Sequence, residues 1–207
     1  NNSSCISCHP RDGRASHPQN IKTRSGLLLR TSLPGNGSNE NPIVVNGFGL
    51  QIQNQAIFNF QPEAEYTVQY EEIVEKLADG TIVYLRKTFF NVTNTYIPFP
   101  ENALLSPRIA PPVFGLGLLE LIIDTDLINS QDINDSNGDG ISGRLNYVWN
   151  PLTQQTEIGK FGWKANAPNL LIQCAAAYVE DMGITNSVFP FETGHDQSNG
   201  NDHLNDD

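Results

Sequence analysis

Cys5-Ile6-Ser7-Cys8-His9 decides how the rest of the chain is read. C-x-x-C-H is the attachment pattern for c-type haem. Its two thiols can each form a thioether to one vinyl group on a single porphyrin edge. The adjacent imidazole then lies under the iron as its proximal ligand. Other uses of a C-x-x-C pair fit less well. A thioredoxin-like dithiol belongs after a strand in a βαβ unit, and only four residues precede Cys5. A zinc site needs four ligands, and no second C-x-x-C or H-x-x-x-H follows. A haem held at Cys5, Cys8 and His9 would be the largest apolar object in the domain, and nearby chain is expected to fold against it.

The 207 residues are 38% hydrophobic and punctuated by 13 Pro and 17 Gly. That suits a loop-rich globular chain, either one large domain or a domain with a big insertion. The net charge of -11 makes nucleic acid an unexpected partner. An acidic surface serves solubility, or steers a basic redox partner. Of three Cys, two are used if haem is attached. The third, Cys174, lies in the apolar run Leu170 to Ala177 and is expected to be buried as a small hydrophobe. No membrane span is expected, because the longest apolar stretch, Val113 to Ile123, is too short and contains Glu120. Covalent haem attachment implies assembly outside the bacterial cytoplasm. A periplasmic or otherwise exported protein is therefore expected, with its export signal removed or lying upstream.

Residues 10 to 40 are polar and basic-tinged, with Arg11, Arg14, His17, Lys22, Arg24 and Arg30; Leu27-Leu28-Leu29 stands among turn residues. Such cations either pair with haem propionates or form a solvated loop. Residues 41–105 read as β-rich. Tyr66 to Val74 alternates, Thr81 to Leu85 is β-branched and aromatic, and Asp79-Gly80 between them signals a hairpin. Thr88 to Val92 reads as a third strand. Val113 to Ile122 reads as a short buried helix with a close-packed glycine face, and Asp124-Thr125-Asp126 as the cap of another over Leu127 to Gln131. Asn169 to Met182 is the best helix in the chain, with Pro168 at its first turn and Gly183 past its end. These signals predict a mainly α, cytochrome c-like domain over residues 1–186, with a β-rich insertion at about 41–105, α+β overall. Residues 187–207 read as an acidic polar tail or a linker to a further domain.

A second chemical pattern runs from Asp135 to Arg144. In a calcium loop, positions one, three and five supply oxygen side chains, six is Gly and seven offers a backbone carbonyl. Asp135, Asn137, Asp139, Gly140 and Ile141 fill those slots. The twelfth position, where a bidentate Glu belongs, is Asn146, so affinity would be weak unless Asp132 completes the shell. A tight Asp-Gly turn without any ion is the other reading.

Several stretches together resemble one family, the bacterial di-haem oxidoreductases related to di-haem cytochrome c peroxidases, often labelled thiol oxidoreductase-like. They begin with Ser4-Cys5-Ile6-Ser7-Cys8-His9, Asp12-Gly13-Arg14, Gly49-Leu50-Gln51-Ile52-Gln53 and Gln61-Pro62-Glu63-Ala64. They continue with Leu77-Ala78-Asp79-Gly80, Ser106 to Pro112, Gly115 to Glu120, Asp139 to Arg144, Phe161 to Ala165 and Asp181 to Thr185. The resemblance implies two cytochrome c-like domains, each with its own C-x-x-C-H. This chain has one such motif and looks like the N-terminal half, its first partner being the second haem domain of the same protein. It also implies oxidoreductase activity in the complete protein, towards peroxide or another small-molecule oxidant and with a redox partner protein. The half alone is expected to be inactive. Two other functions stay open: an electron-transfer cytochrome without catalysis, and a calcium-stabilised binding module whose haem site is unfilled. Trp163 is either an electron relay, as in related peroxidases, or a core aromatic. Met182, the only Met, follows His9 and Pro168 in the order of a distal haem ligand. His17, His195 and an open or water-filled position are the alternatives.

Overall fold

The structure, a computed structural model, describes residues 4–10, 13–16, 18, 26–56 and 58–191. Its elements are, in order, α1 (Cys5–Cys8), β1 (Leu27–Asn36), β2 (Pro42–Ile43), β3 (Gln51–Ile52), β4 (Glu65–Lys76), β5 (Ile82–Thr93), β6 (Leu104–Ile109), α2 (Leu116–Glu120), α3 (Asp124–Asn129), β7 (Tyr147–Asn150), β8 (Gln155–Ile158) and α4 (Leu170–Met182). Among the described residues, strand accounts for 33% and helix for 17%. The mainly α expectation is therefore wrong. The chain is built on antiparallel sheets, and strands lie on both sides of the expected insertion at 41–105.

The centre is Leu27-Leu28-Leu29, which reads as a scrap between turns but forms the start of β1. β1 pairs antiparallel with β3 (Leu29↔Ile52, Arg30↔Gln51), with β6 (Leu27↔Ile109 to Ser32↔Leu104) and with β2 (Leu33↔Ile43). One face of this sheet carries Leu29 and Ile52 into a core with Val45, Phe48 and Ala64. Phe48 meets Tyr96 and Phe99 edge-on, with ring centroids 5.4 and 5.1 Å away, the arrangement that the aromatic quadrupole favours. The other face carries Arg30 and Gln51 towards the end of α4.

β4 and β5 form the expected hairpin, paired without interruption from Glu65↔Thr93 to Lys76↔Ile82. Asp79 accepts the Thr81 N–H at 2.9 Å, and Gly80 takes φ +90°. Thr88 to Val92 is the continuation of β5 rather than a third strand. Tyr66, Phe90 and Val92 at its base pack on the core, while the outer half stands free.

Val113 to Ile122 is not a buried helix. Only Leu116–Glu120 is helical, none of it is buried, and a Cβ on Gly115 or Gly117 would meet nothing within 4 Å. Gly115, at φ +76°, starts the helix late. α3 lacks the expected side-chain cap. α4 matches its signals: Asn169 accepts the Ile172 N–H at 2.9 Å, and Gly183 ends the helix at φ +70°. Its buried Ile172 joins Phe161 and Ala167 in a second small core, packed by Val188 and Phe189 from the expected tail. Cys174, on the same helix, is exposed, contrary to expectation. No helix among the described residues is long and apolar enough to cross a membrane.

Candidate functional site

The C-x-x-C pair forms one turn of helix, closed by the His9 N–H donating to the Cys5 carbonyl at 2.9 Å. One turn brings residues three apart to the same side. Cys5 is exposed, Cys8 is buried, and neither is in a disulfide. Cys8 packs with Ala15, Ala110 and Ile109. Burial, and then the nearby Asp181 carboxylate, pushes its thiol above the usual range. Gly26, at the entry to β1, lies against it. A Cβ there would be 2.7 Å from the Cys8 carbonyl oxygen and 2.5 Å from the Ala15 Cβ, so glycine is required where the sheet begins beneath the motif.

His9 is oriented from two directions. Its Nδ1 lies 3.0 Å from the Gly13 carbonyl oxygen and 2.7 Å from that of Pro111. Both partners are acceptors, so Nδ1 carries a proton, and in the neutral ring the lone pair is therefore on Nε2. A histidine that ligates a metal is commonly fixed this way, with the outer nitrogen donating to backbone oxygen. Two free thiols and an imidazole with an available Nε2 are the donor set that covalent haem attachment requires. The residues fit the group.

The end of α4 comes to the same place. Arg30 forks onto the Glu180 carboxylate, its second contact at 3.3 Å. The Gln51 and Gln53 side-chain amides donate to the Glu180 carbonyl oxygen at 3.2 and 2.5 Å, and Gln51 also donates to Asp181 at 2.9 Å. Asp181 is half-buried. Burial pushes its carboxyl up, while Gln51, Arg30 and His9 pull it down. Asp181 thus interacts with both Cys8 and His9. Met182 follows it as the last residue of α4, half-buried. His17 and His195 lie outside the described residues. Sequence reasoning gave Gln51, Gln53, Asp181 and Pro111 no role, although all four fall in stretches that carry the family resemblance.

A family model described as "Di-haem oxidoreductase, putative peroxidase" matches residues 1–198. The chain belongs to this family. No curated protein and no solved structure matches it.

In this member of the family, Trp163 is not the core aromatic that its neighbours suggested. It is 56% exposed, and its indole N–H donates to the Ile109 carbonyl oxygen at 2.6 Å. The loop from Asp135 folds as a tight turn held by its own side chains. Asp135 accepts the Gly140 N–H at 3.0 Å, Asn137 that of Asp139 at 2.9 Å, and Asp139 that of Ile141 at 2.8 Å. Asp132 accepts the Ser136 N–H at 2.7 Å. Asn146 points elsewhere, donating to the Lys164 and Ala165 carbonyls. Among the described residues no group of three or more His, Cys, Asp and Glu side chains is placed to hold a metal ion.

Proposed function

We propose that this member of the di-haem oxidoreductase family binds haem c covalently through Cys5 and Cys8, with His9 Nε2 as the iron ligand. The observation that carries this is the pair of carbonyl contacts at His9 Nδ1. They fix the tautomer and the ring orientation, leaving Nε2 as the nitrogen free to ligate. Haem held here would supply one-electron redox chemistry and, towards peroxide, peroxidase chemistry. The chain's own part is positional. Pro111 and Gly13 orient the ring, and the Arg30, Gln51 and Gln53 contacts hold the end of α4 beside it. Met182, carried on that end, is the distal ligand in this reading. The domain acts as the N-terminal haem half of an exported two-haem protein and exchanges electrons with a second haem domain, a redox partner protein and an oxidant such as peroxide.

Protein matured in a periplasm with cytochrome maturation machinery tests the assignment. Its intact mass should exceed that of the polypeptide by one haem, and the Cys5→Ala, Cys8→Ala variant should lose both the added mass and the Soret band. Covalent haem in that variant would refute the attachment. Loss of the long-wavelength charge-transfer band in Met182→Ala, with haem still attached, supports Met182 ligation. Wild type that never shows the band refutes it and favours an open, peroxidatic position.

One observation favours calcium as well. Asp135 Oδ1 is buried and has no partner, so it is left over once the turn has formed. We propose calcium there, with Asp135, Asn137, Asp139 and the Ile141 carbonyl as oxygen ligands. A calcium-dependent rise in melting temperature supports this, and no change at millimolar calcium leaves only the turn.

A further inference from the structure

The face of the sheet that meets α4 carries two arginines, and their surroundings differ. Arg30 stands opposite Ser106, and Arg108 stands opposite Leu28, in the β1–β6 register. Directly opposed residues share a face. Arg30 has Glu180. Arg108 is half-buried and has neither an ion pair nor a side-chain hydrogen bond among the described residues. Burial pushes its guanidinium below the usual range.

Arg108 lines an open cleft of about 560 Å³ together with Arg14 and Lys164, whose side chains are equally unpartnered among the described residues. Among the described residues no acidic one lines the cleft, although the chain carries 23 Asp and Glu against 12 Lys and Arg. One wall is Trp163, exposed and pinned through its indole N–H to Ile109. Ala15 and Ile109, which line the cleft, also pack against Cys8. The cleft therefore opens beside the attachment cysteine. Three cations drawn together with no counter-ion among the described residues, next to a fixed aromatic plane, suit a planar ligand that bears carboxylates.

We infer that Arg14, Arg108 and Lys164 clamp the propionate carboxylates of the haem attached at Cys5 and Cys8. This rests on the haem assignment above. A free dicarboxylate has the same chemistry and would be the other source of such a ligand. These three are positioning residues: they hold the macrocycle edge and keep its carboxylates ionised.

The test uses haem-loaded protein, checked by intact mass. Arg14→Gln with Lys164→Gln alters only exposed side chains, and Arg108→Lys keeps the charge at the half-buried position. Redox titration of the double variant, read at the wild-type midpoint, should show the ferrous-to-ferric ratio fall by about fourfold or more, as for two charges removed at roughly 10 Å in a water-like dielectric. Its midpoint should also turn pH-dependent nearer neutrality, because propionates without cations hold their protons more tightly. Arg108→Lys should stay close to wild type, as should Lys76→Gln, which removes a cation at the hairpin tip. A double variant that keeps its haem and titrates as wild type at every pH overturns the inference. So does succinate that raises the melting temperature of wild type but not of the double variant, since that places a free carboxylate in the cleft. Wild type without added haem mass overturns the haem assignment itself, and mass alone tells that failure from the others.

Discussion

Glu63 should make the fold weaker as pH rises through neutrality, and Glu63→Gln should remove that weakness. The side chain is 8% exposed, and its carboxylate accepts the Gln53 N–H at 2.9 Å. Burial raises its pKa from 4.5 to about 7, the Gln53 contact offsetting part of the effect. The folded state therefore holds its proton over a range where the unfolded chain has released it. Below the unfolded value both states are protonated and Glu63 costs nothing. Between the two values the folded state binds more protons, so stability falls as pH rises. Above about 7 the loss is complete, at about 3 kcal/mol. Glutamine keeps the acceptor for Gln53 and carries no charge. Urea denaturation of both proteins at pH 5 and pH 8 reads the difference. The variant should match wild type within about 1 kcal/mol at pH 5 and exceed it by about 2–3 kcal/mol at pH 8. An equal difference at the two pH values would refute the reasoning, since it would show that Glu63 titrates alike in both states.

Gly159→Ala should destabilise by about 3 kcal/mol or more, because the added Cβ would overlap the Ala165 carbonyl oxygen in the turn that sets up α4. A denaturation midpoint within about 1 kcal/mol of wild type would show that this turn yields. Arg30→Ala leaves the Glu180 carboxylate half-buried and alone, so a loss of about 2–3 kcal/mol is expected, with part regained in the double variant Arg30→Ala, Glu180→Gln. If the single change costs under about 0.5 kcal/mol, the ion pair does not anchor α4.

What could be read in advance was local. Cys5 to His9 carry the motif on which the family resemblance starts, Asp79-Gly80 and the alternation around it carry the hairpin, and Asn169, Pro168 and Gly183 bracket α4. Leu27-Leu28-Leu29 misled for a physical reason. A central strand covered on both faces loses its alternation and becomes a short apolar run, which cannot be told from a piece of buried helix. The error at Val113 to Ile123 was the opposite one. Apolar residues were taken as a sign of burial, yet Leu118 and Leu121 are 73% and 76% exposed. The contacts that join the motif to α4 had no local signal. Pro111 reaches His9 across 102 residues and Glu180 reaches Arg30 across 150, and such pairs appear only once the sheet has formed.

The β4–β5 ribbon has a bearing on how this chain can change length. Its outer half touches little but itself, with Val74, Ile82 and Tyr84 exposed. Residues could be removed there, or a new segment spliced in at Asp79-Gly80, without disturbing Cys8, His9 or α4. Register sets the rule. Taking two residues from each strand leaves Tyr66, Phe90 and Val92 facing the core, whereas shifting one strand by a single residue turns its whole apolar set to solvent. Relatives and engineered versions of this protein should therefore differ at the tip by equal numbers in the two strands, while the base, and with it the ground under the Cys5–His9 motif, stays the same.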